Sequence, residues 1–554
     1  MSSPPEHPPA APTWLQGRWP AELLFGVGLA AAVLVLALRP GVVFTGFPEG
    51  SDWETYISNT AYVWHGDWPG IIYQDWRKPL HAYLVGLLGE GSSYIHGAQL
   101  LTAASLVALV LAAGLLGRAL ASRPAGVVSA LSMAALATLE PASRWVNHYP
   151  LLAGSAGLAA AFGAACLRWP RGLWALLAML CAGLCFAVDG RGVVALGMAA
   201  PLVVGAAWTL RARPRRAWGL LALAGLGLCL ASAVDQGLQR RYTPGLLSVA
   251  EQLGNQRQVI LTHYDSVGGA PEPLASACGL GEPAALEGLS LACAVALEAE
   301  NHRRLSAEGA LPPLGFGLLL LLALVPGPRG WRDSLGVAAV VGGAVAALAA
   351  GMAWVVYWDR YGLQHVVPLV VLVPVGLDRL VRWGWARWRP TDGSGIPAVI
   401  AAASALALAL LVWPGWSGSD AGSPALGEAE RHPGGADGRL ELAAWARGRM
   451  GPDDLLIDCA GASLFQLLLP QRIPLARAPW HTPSCREWSR EPPSVAGQHW
   501  FVTLEPPPGT EDRFGLSPAW MRAQGWEEQA LELAPVPGQG TLRVWGRVRG
   551  EPQG

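Results

Sequence analysis

The chain has 554 residues, of which 52% are hydrophobic and only 14% are charged, and its mean hydropathy is +0.32. This composition excludes a large soluble enzyme and predicts a multispanning α-helical membrane protein. The net charge of -1 gives no sign of nucleic-acid binding, which calls for a clear excess of positive charge.

Membrane spans are predicted from apolar runs of about 18 residues or more. The Pro-rich segment 1–20 and the lack of a small-residue cleavage site after the first run indicate a cytoplasmic tail and a retained span. The runs predict about 11 transmembrane helices within 21–413. They lie near 21–43, 97–117, 124–140, 150–167, 172–188, 192–210, 217–234, 313–327, 334–356, 365–381 and 395–413.

Arginines are concentrated in alternate loops, which the positive-inside rule assigns to the cytoplasm. The outer face then receives the loops 44–96 and 235–312 and everything after the last span. The preference for arginine over lysine suggests a GC-rich bacterium, and hence a bacterial inner (plasma) membrane with a cytoplasmic N-terminus. The arginines of the alternate loops include Arg118, Arg123, Arg168, Arg171, Arg211, Arg213, Arg215, Arg216, Arg329, Arg332 and Arg379.

The C-terminal region has the composition of a linker followed by a soluble domain. Residues 414–438 are rich in Gly, Ser, Ala and Pro. Residues 439–554 predict a periplasmic α/β domain, with a helix at LELAAWARGRM, strands at DDLLIDCA, QHWFVTLE and TLRVWGRV, and a helix leading into a strand at PAWMRAQGWEEQALEL. It lacks a Gly-rich phosphate loop, so we interpret it as a lid or docking surface over a membrane site.

Cysteines on the predicted outer face fall into two pairs. Cys278 and Cys293 share the loop 235–312, and Cys459 and Cys485 share the C-terminal domain. Pairs confined to one segment each predict two disulfides in an oxidising compartment. Four free thiols are the alternative.

The loop 44–96 has the highest density of candidate functional side chains. Between Ser51 and Tyr83, charged side chains alternate with Trp and Tyr, which favour the level of the lipid head groups. Lys78 is the only lysine among the 39 Lys and Arg residues. Its compact ammonium group differs from a guanidinium fork, so this position is a candidate for a role that arginine does not fill. Chance survival at a solvated surface is the alternative.

Ionisable groups from three outer loops would meet at one rim if the spans form a bundle around one cavity. Such groups are costly at a membrane boundary unless they are used or paired. Cations that hold a phosphate and a carboxylate that accepts a proton suit a reaction on a phosphate-linked substrate. The candidate catalytic residues are Asp52 and Glu54, and the candidate substrate-binding residues are Asp75, Arg77, Lys78, Arg144, His148 and Arg360. The alternatives are a helix cap for Asp52 and an interfacial anchor for His148.

Three short patches resemble the GT-C superfamily of polyprenyl-phosphate-sugar-dependent glycosyltransferases. Asp52 and Tyr56 match the start of the first outer loop in that group, with Glu54 one place later than the family's second acid. Lys78-Pro79-Leu80 is similar to its step into the second span, and 360–374 to its entry to a late span. The nearest groups are the protein O-mannosyltransferases and the bacterial lipid A aminoarabinose transferases.

The resemblance implies a GT-C-like fold and a membrane glycosyltransferase, a hexosyl or pentosyl transferase. Asp52 or Glu54 would be the base, and Lys78, helped by Arg77 or Arg360, would bind the phosphate of a polyprenyl-phosphate sugar donor. The acceptor would be a lipid, glycan or protein at the periplasmic face. No cofactor is expected, and a divalent cation is possible at Asp52 and Glu54 but not favoured, because two carboxylates do not define a metal site.

Two other functions fit the same sequence. The long loop 235–312 loosely resembles that of O-antigen ligases, which favours an oligosaccharide transferase. A non-catalytic membrane carrier or assembly subunit would share the architecture, because a fold does not determine a function.

Overall fold

The computed structural model describes part of the chain with defined geometry, and the account below concerns that part. The described residues are 19–38, 59–60, 63–64, 78–89, 94–137, 148–242, 271–278, 292–293, 295–296, 299–300, 330–352, 363–388, 438–451, 453–460, 475–477, 483–509, 515–536 and 540–547.

The first part of the chain is helical. A single 3₁₀ turn at Gly190–Gly192 separates the sixth and seventh helices. The helices are α1 (Trp19–Ala37), α2 (Leu80–Gly89), α3 (Tyr94–Leu120), α4 (Arg123–Ala137), α5 (Tyr149–Arg168), α6 (Gly172–Val188), α7 (Val193–Thr209), α8 (Pro214–Tyr242), α9 (Glu272–Cys278), α10 (Trp331–Met352) and α11 (Leu363–Trp388).

Nine of the predicted spans coincide with helices, and the other two, 313–327 and 395–413, lie outside the described residues. Within the described part, 4 helices are long and apolar enough to cross a membrane, and three shorter apolar helices accompany them. The count of about 11 spans is therefore not confirmed. The four long segments are His96–Leu120, Tyr149–Arg168, Gly190–Thr209 and Pro214–Tyr242.

Both long segments predicted as outer loops include helical residues. Helix α8 continues to Tyr242, so residues 235–242 of the predicted loop 235–312 are helical. The loop predicted over 44–96 contains the whole of α2 and the start of α3. Asp235 and Lys78 resemble loop residues in the sequence and are paired with each other in the structure.

Small residues bring the helices of the bundle close together. A Cβ atom added at Gly227 of α8 would lie 2.4 Å from the carbonyl oxygen of Leu176 in α6, and one at Gly183 of α6 would lie 2.5 Å from Ala231 Cβ. Close helix contacts in membranes commonly rely on such residues. The packing of α6 on α8 therefore depends on glycine at both crossing positions.

The C-terminal part forms one mixed sheet with the strand order β2-β1-β3-β6-β4, and β5 pairs with β6. Strand β1 is parallel to β2 and β3, and β6 is antiparallel to β3, β4 and β5. The strands are β1 (Leu455–Cys459), β2 (Leu475–Arg477), β3 (His499–Glu505), β4 (Glu527–Glu528), β5 (Pro535–Val536) and β6 (Gly540–Arg547), with helices α12 (Gly438–Arg449), α13 (Pro483–Arg490) and α14 (Pro518–Ala523).

Both faces of this sheet are covered. Leu456 and Trp500 point to the face where α12 packs, and Ile457 and Phe501 point to the opposite face, where Trp526 is buried. Successive residues of β1 and β3 thus supply two cores, as expected for strands buried on both sides. The strands predicted from DDLLIDCA, QHWFVTLE and TLRVWGRV are confirmed as β1, β3 and β6.

Both predicted disulfides are present. Cys459 at the end of β1 is bonded to Cys485 in α13, and Cys278 at the end of α9 is bonded to Cys293. The alternative of four free thiols at these positions is therefore wrong.

Candidate functional site

The structure describes two of the eight predicted site residues, and both contact the C-terminal end of α6. Lys78 does so through Phe186, and His148 does so through Asp189. The structure thus places these two residues at the same end of α6. The other six lie outside the described residues: Asp52, Glu54, Asp75, Arg77, Arg144 and Arg360.

Lys78 stands before Pro79 at the start of α2, and its ammonium group lies between a carboxylate and an aromatic ring. Lys78 Nζ donates a hydrogen bond of 2.9 Å to Asp235 Oδ2 in α8 and lies 3.6 Å from the centroid of the Phe186 ring. Gln239 Nε2 donates to the other Asp235 oxygen at 2.7 Å. The side chains of Lys78 and Asp235 are 12% and 10% exposed. Their attraction is therefore stronger than that of a solvent-exposed pair.

His148 begins α5 and is buried against the turn between α6 and α7. Its Nε2 lies 3.0 Å from Asp189 Oδ2. Since a carboxylate only accepts hydrogen bonds, this distance fits an Nε2–H that donates to Asp189. The His148 side chain is 4% exposed, which argues against the alternative of an exposed interfacial anchor.

Arg191 holds the Asp189 carboxylate from the other side. Its Nε donates to Oδ1 at 3.0 Å and its Nη2 donates to Oδ2 at 2.7 Å, in the two-pronged geometry that guanidinium and carboxylate groups favour. The backbone N–H of Arg191 also donates to Oδ1, at 2.8 Å, and so fixes the 3₁₀ turn. Asp189 thus receives three hydrogen bonds from one residue and a fourth from His148.

The environment of Asp189 sets its protonation state. Burial raises the pKa of this carboxyl group, but the charge and hydrogen bonds of Arg191, followed by those of His148, outweigh that effect and hold the pKa well below its usual range. Asp189 is therefore ionised at physiological pH. It serves as a fixed negative charge that orients Arg191 and His148.

A ring contact connects the Lys78–Asp235 pair to the side chains of Asp189, Arg191 and His148, which we call the Asp189 group. His81 lies one turn after Lys78 in α2, and its buried ring meets that of His148 edge-on, with 6.2 Å between the ring centroids. The two groups therefore lie near each other at one end of the bundle. We call them together the rim cluster, which consists of Lys78, His81, His148, Asp189, Arg191 and Asp235.

Sequence reasoning did not select Asp189, Arg191 or Asp235 as site residues. A signal existed for the first two, because Asp-Gly-Arg interrupts two apolar runs and ionisable groups at membrane depth are functional candidates. Asp235 also follows an apolar run directly. Nothing in the sequence pairs it with Lys78, which is 157 residues away.

The rim cluster contains two cations, two imidazole groups and two carboxylates that pair with the cations. Among the described residues, no group of three or more His, Cys, Asp and Glu side chains is placed to hold a metal ion. The carboxylates considered for a divalent cation, Asp52 and Glu54, lie outside the described residues. The described groups are suited to holding an anion such as a phosphate.

Comparison with known proteins gives matches among solved structures alone. No protein-family model and no curated protein sequence matches the chain. The chain is similar to ArnT from Cupriavidus metallidurans bound to undecaprenyl phosphate, at 16% identity and a TM-score of 0.47, over 97% of this chain and 100% of ArnT. The apo state of the same protein gives 14% identity and a TM-score of 0.48, over 96% and 100%.

A second similar structure is the oligosaccharyltransferase of Archaeoglobus fulgidus tethered with an acceptor peptide. The identity is 13% and the TM-score 0.43, over 89% of this chain and 70% of that protein. Both matched proteins are members of the GT-C superfamily, the group that the three sequence patches resemble. At TM-scores below 0.5 the likeness says nothing about the chemistry of this chain.

Proposed function

We propose that this chain is an integral membrane glycosyltransferase that moves a sugar from a polyprenyl-phosphate-linked donor to an acceptor on the periplasmic face. One observation carries the proposal: the only lysine of the chain lies shielded at one end of an apolar helical bundle, next to the Asp189 group. Its place in the Lys-Pro-Leu step agrees with the phosphate-binding role that the sequence resemblance implies.

Lys78 would bind the donor phosphate. To do so it must leave Asp235 Oδ2 or share its ammonium protons between the carboxylate and the phosphate. A lysine has three rotatable donors on a flexible stem and can make that exchange, whereas the rigid fork of arginine is less able to do so. The proposed role therefore gives a physical reason for lysine at this position.

The Asp189 group would support the leaving phosphate from the side. Arg191 and His148 are fixed by one ionised carboxylate, so their donors need little reorganisation when negative charge develops nearby. Preorganised donors of this kind are a large source of catalytic stabilisation. The further cations Arg77, Arg144 and Arg360, with Asp75, complete the proposed binding set.

The transfer step would be a direct displacement at the sugar. The acceptor hydroxyl oxygen forms a bond to the anomeric carbon while the bond from that carbon to the phosphate oxygen breaks. Polyprenyl phosphate leaves with the bonding electron pair, and the hydroxyl proton passes to the carboxylate of Asp52 or Glu54. The growing charge on the phosphate is the charge that Lys78 would stabilise.

The proposal is tested with full-length protein in nanodiscs and undecaprenyl phosphate as the probe, because this product does not depend on the sugar. Lys78→Ala should weaken its binding about 10- to 100-fold, as expected for the loss of a charged hydrogen bond. Lys78→Arg should recover part of the affinity. Arg215→Ala, which removes an exposed arginine at the start of α8, is the matched control and should bind as wild type.

Turnover is then measured as release of undecaprenyl phosphate from a panel of its sugar derivatives. Release that Lys78→Ala abolishes and Arg215→Ala retains supports the transferase. Binding without release from any donor would indicate a carrier or an assembly subunit. No binding of undecaprenyl phosphate by wild type would overturn the lipid-phosphate premise.

A further inference from the structure

A cavity of about 880 Å³ lies at the end of the bundle opposite to the rim cluster. Helix α5 connects the two regions, since it begins next to His148 and ends at Arg168, which lines the cavity. The first turns of α1, α4 and α10, the last turns of α3 and α5, and the C-terminal half of α11 surround it. Arginines from three of the predicted arginine-rich loops therefore line one cavity, namely Arg118 and Arg123, Arg168, and Arg379 and Arg382.

The cavity has a surplus of positive charge. Five arginines and three carboxylates line it, which leaves two positive charges unbalanced among the lining residues. Glu22 is shared by Arg118 and Arg123, each within 2.7 Å of a carboxylate oxygen. Asp378 is bound by Arg382 at 2.9 Å and by Ser122 at 2.6 Å. Two of the three carboxylates are thus already bound by arginines, and a further anion would face the surplus of cations.

A buried N–H donor of Arg123 in the cavity wall lacks a hydrogen-bond partner in the described part of the chain. Arg123 uses Nη2 for Glu22, but its Nε is buried and has no hydrogen-bond partner among the described residues. A buried N–H without a partner costs free energy, which a bound acceptor would recover. The planar guanidinium group presents donors in the geometry that a phosphate accepts.

The cavity is also apolar along one side. Leu24 of α1 lines it and is 70% exposed, and Phe25, Val127 and Val128 continue the same wall. A free phosphate ion would leave this surface uncovered. An acyl chain beside a phosphate would cover it, at a gain of about 25 cal/mol per Å² of apolar area.

We propose that this cavity binds the phosphate diester of a glycerophospholipid, with the phosphate at Arg123 and Arg382 and an acyl chain along Leu24. Basic pockets between transmembrane helices are suited to such head groups. The bound lipid would connect α4 to α11 through its phosphate, and it would contact α1 through its acyl chain. This site is separate from the proposed transferase site and does not require it to be active.

The test measures retention of radiolabelled dioleoyl phosphatidylglycerol by full-length protein purified in detergent. Wild type should retain this lipid and should not retain dioleoylglycerol, which has the same chains and no phosphate. Arg123→Gln should reduce retention about tenfold. Arg211→Gln is the matched control, because this exposed arginine follows α7 and does not line the cavity, and it should retain lipid as wild type.

A second variant and a competition experiment distinguish the possible outcomes. Arg382→Gln carries the same test if Arg123→Gln does not fold, and it should also lose retention. Equal losses in Arg211→Gln and Arg123→Gln would overturn the site in favour of general charge attraction. Displacement of the lipid by millimolar inorganic phosphate would overturn the lipid source. Undecaprenyl phosphate binding should remain unchanged in Arg123→Gln, which distinguishes this site from the rim cluster.

Discussion

The two ends of helix α5 show different ways of keeping charge in an apolar bundle. At its N-terminal end, the rim cluster pairs Lys78 with Asp235 and Arg191 with Asp189. At its C-terminal end, the cavity contains more arginines than carboxylates. The 20 residues of α5 place the two regions about 30 Å apart. One end is balanced and closely packed, and the other is positive and open.

This difference determines how each end would accept an anion. At the rim cluster, a phosphate must replace an existing carboxylate contact, so binding involves an exchange of partners. At the arginine cavity, a phosphate adds to a surplus and meets an unpaired Arg123 Nε among the described residues. Binding at the rim cluster should therefore be sensitive to its carboxylates, and binding at the cavity to ionic strength.

The largest effect is expected from Asp189→Asn. This substitution removes the charge that holds Arg191 and His148, so sugar transfer should fall about 100-fold, as when a preorganised donor is lost. The measurement is the rate of undecaprenyl phosphate release. Glu22→Gln at the other end of the bundle is the control and should leave transfer within about twofold. Similar losses in both variants would show that the two ends are not independent.

Removing the carboxylate partner of Lys78 should strengthen the binding of undecaprenyl phosphate. In Asp235→Asn the phosphate no longer competes with a charged partner, so undecaprenyl phosphate should bind about tenfold more tightly. Glu22→Gln should raise phospholipid retention only about twofold, because Glu22 is partly exposed and solvent screens it. Weaker binding by Asp235→Asn would instead show that Asp235 positions Lys78.

Raising the ionic strength should weaken anion binding differently at the two ends, and this effect should be smaller than those of the substitutions. Raising the ionic strength from about 0.1 M to about 1 M shortens the screening length from about 10 Å to about 3 Å. Phosphatidylglycerol retention should fall about fivefold, because Arg123 is 39% exposed, and undecaprenyl phosphate binding should change less than about twofold. The reverse order of salt sensitivity would contradict the assignment of the open and shielded sites.

No pH effect is expected from Asp189 near neutrality. Its folded-state pKa is lowered by Arg191 and His148 against the effect of burial, so its contribution to stability is complete above the unfolded pKa of about 3.9. That contribution is lost only as the pH falls through the folded pKa. The difference in thermal stability between His148→Gln and the double variant His148→Gln/Asp189→Asn, a background without titration of the neighbouring imidazole, should stay constant from about pH 5 to about pH 8. A difference that changes in this range would contradict the ionised state.

The sequence predicted the helices well where apolar runs end at charged or small residues. The span 172–188 has the same bounds as α6, because Asp189, Gly190 and Arg191 interrupt the run. Helix α8 extends beyond the predicted span 217–234 to Tyr242, and its last residues are polar. Helix propensity is a weak signal there, and the sequence does not show that Asp235 is paired with Lys78.

The candidate site was predicted in part. Lys78 was found because it is the only lysine, and His148 because it lies in an outer loop. Their partners could not be found, since Asp235 reaches Lys78 only through the packing of α6 on α8. In the C-terminal sheet the short strand 475–477 was missed for a similar reason: three residues carry no periodicity, and pairing with β1 defines them.

The glycines between α6 and α8 have a consequence for how this protein tolerates variation. Gly183 stands three residues before Phe186, and Gly227 stands two turns before Asp235, so a methyl group at either position would push apart the helices that enclose Lys78. In a saturation scan selected for activity, both positions should be as intolerant as Asp189, although neither touches the rim cluster. Both glycines should therefore be conserved as strictly as the charged residues that the packing of α6 on α8 brings together.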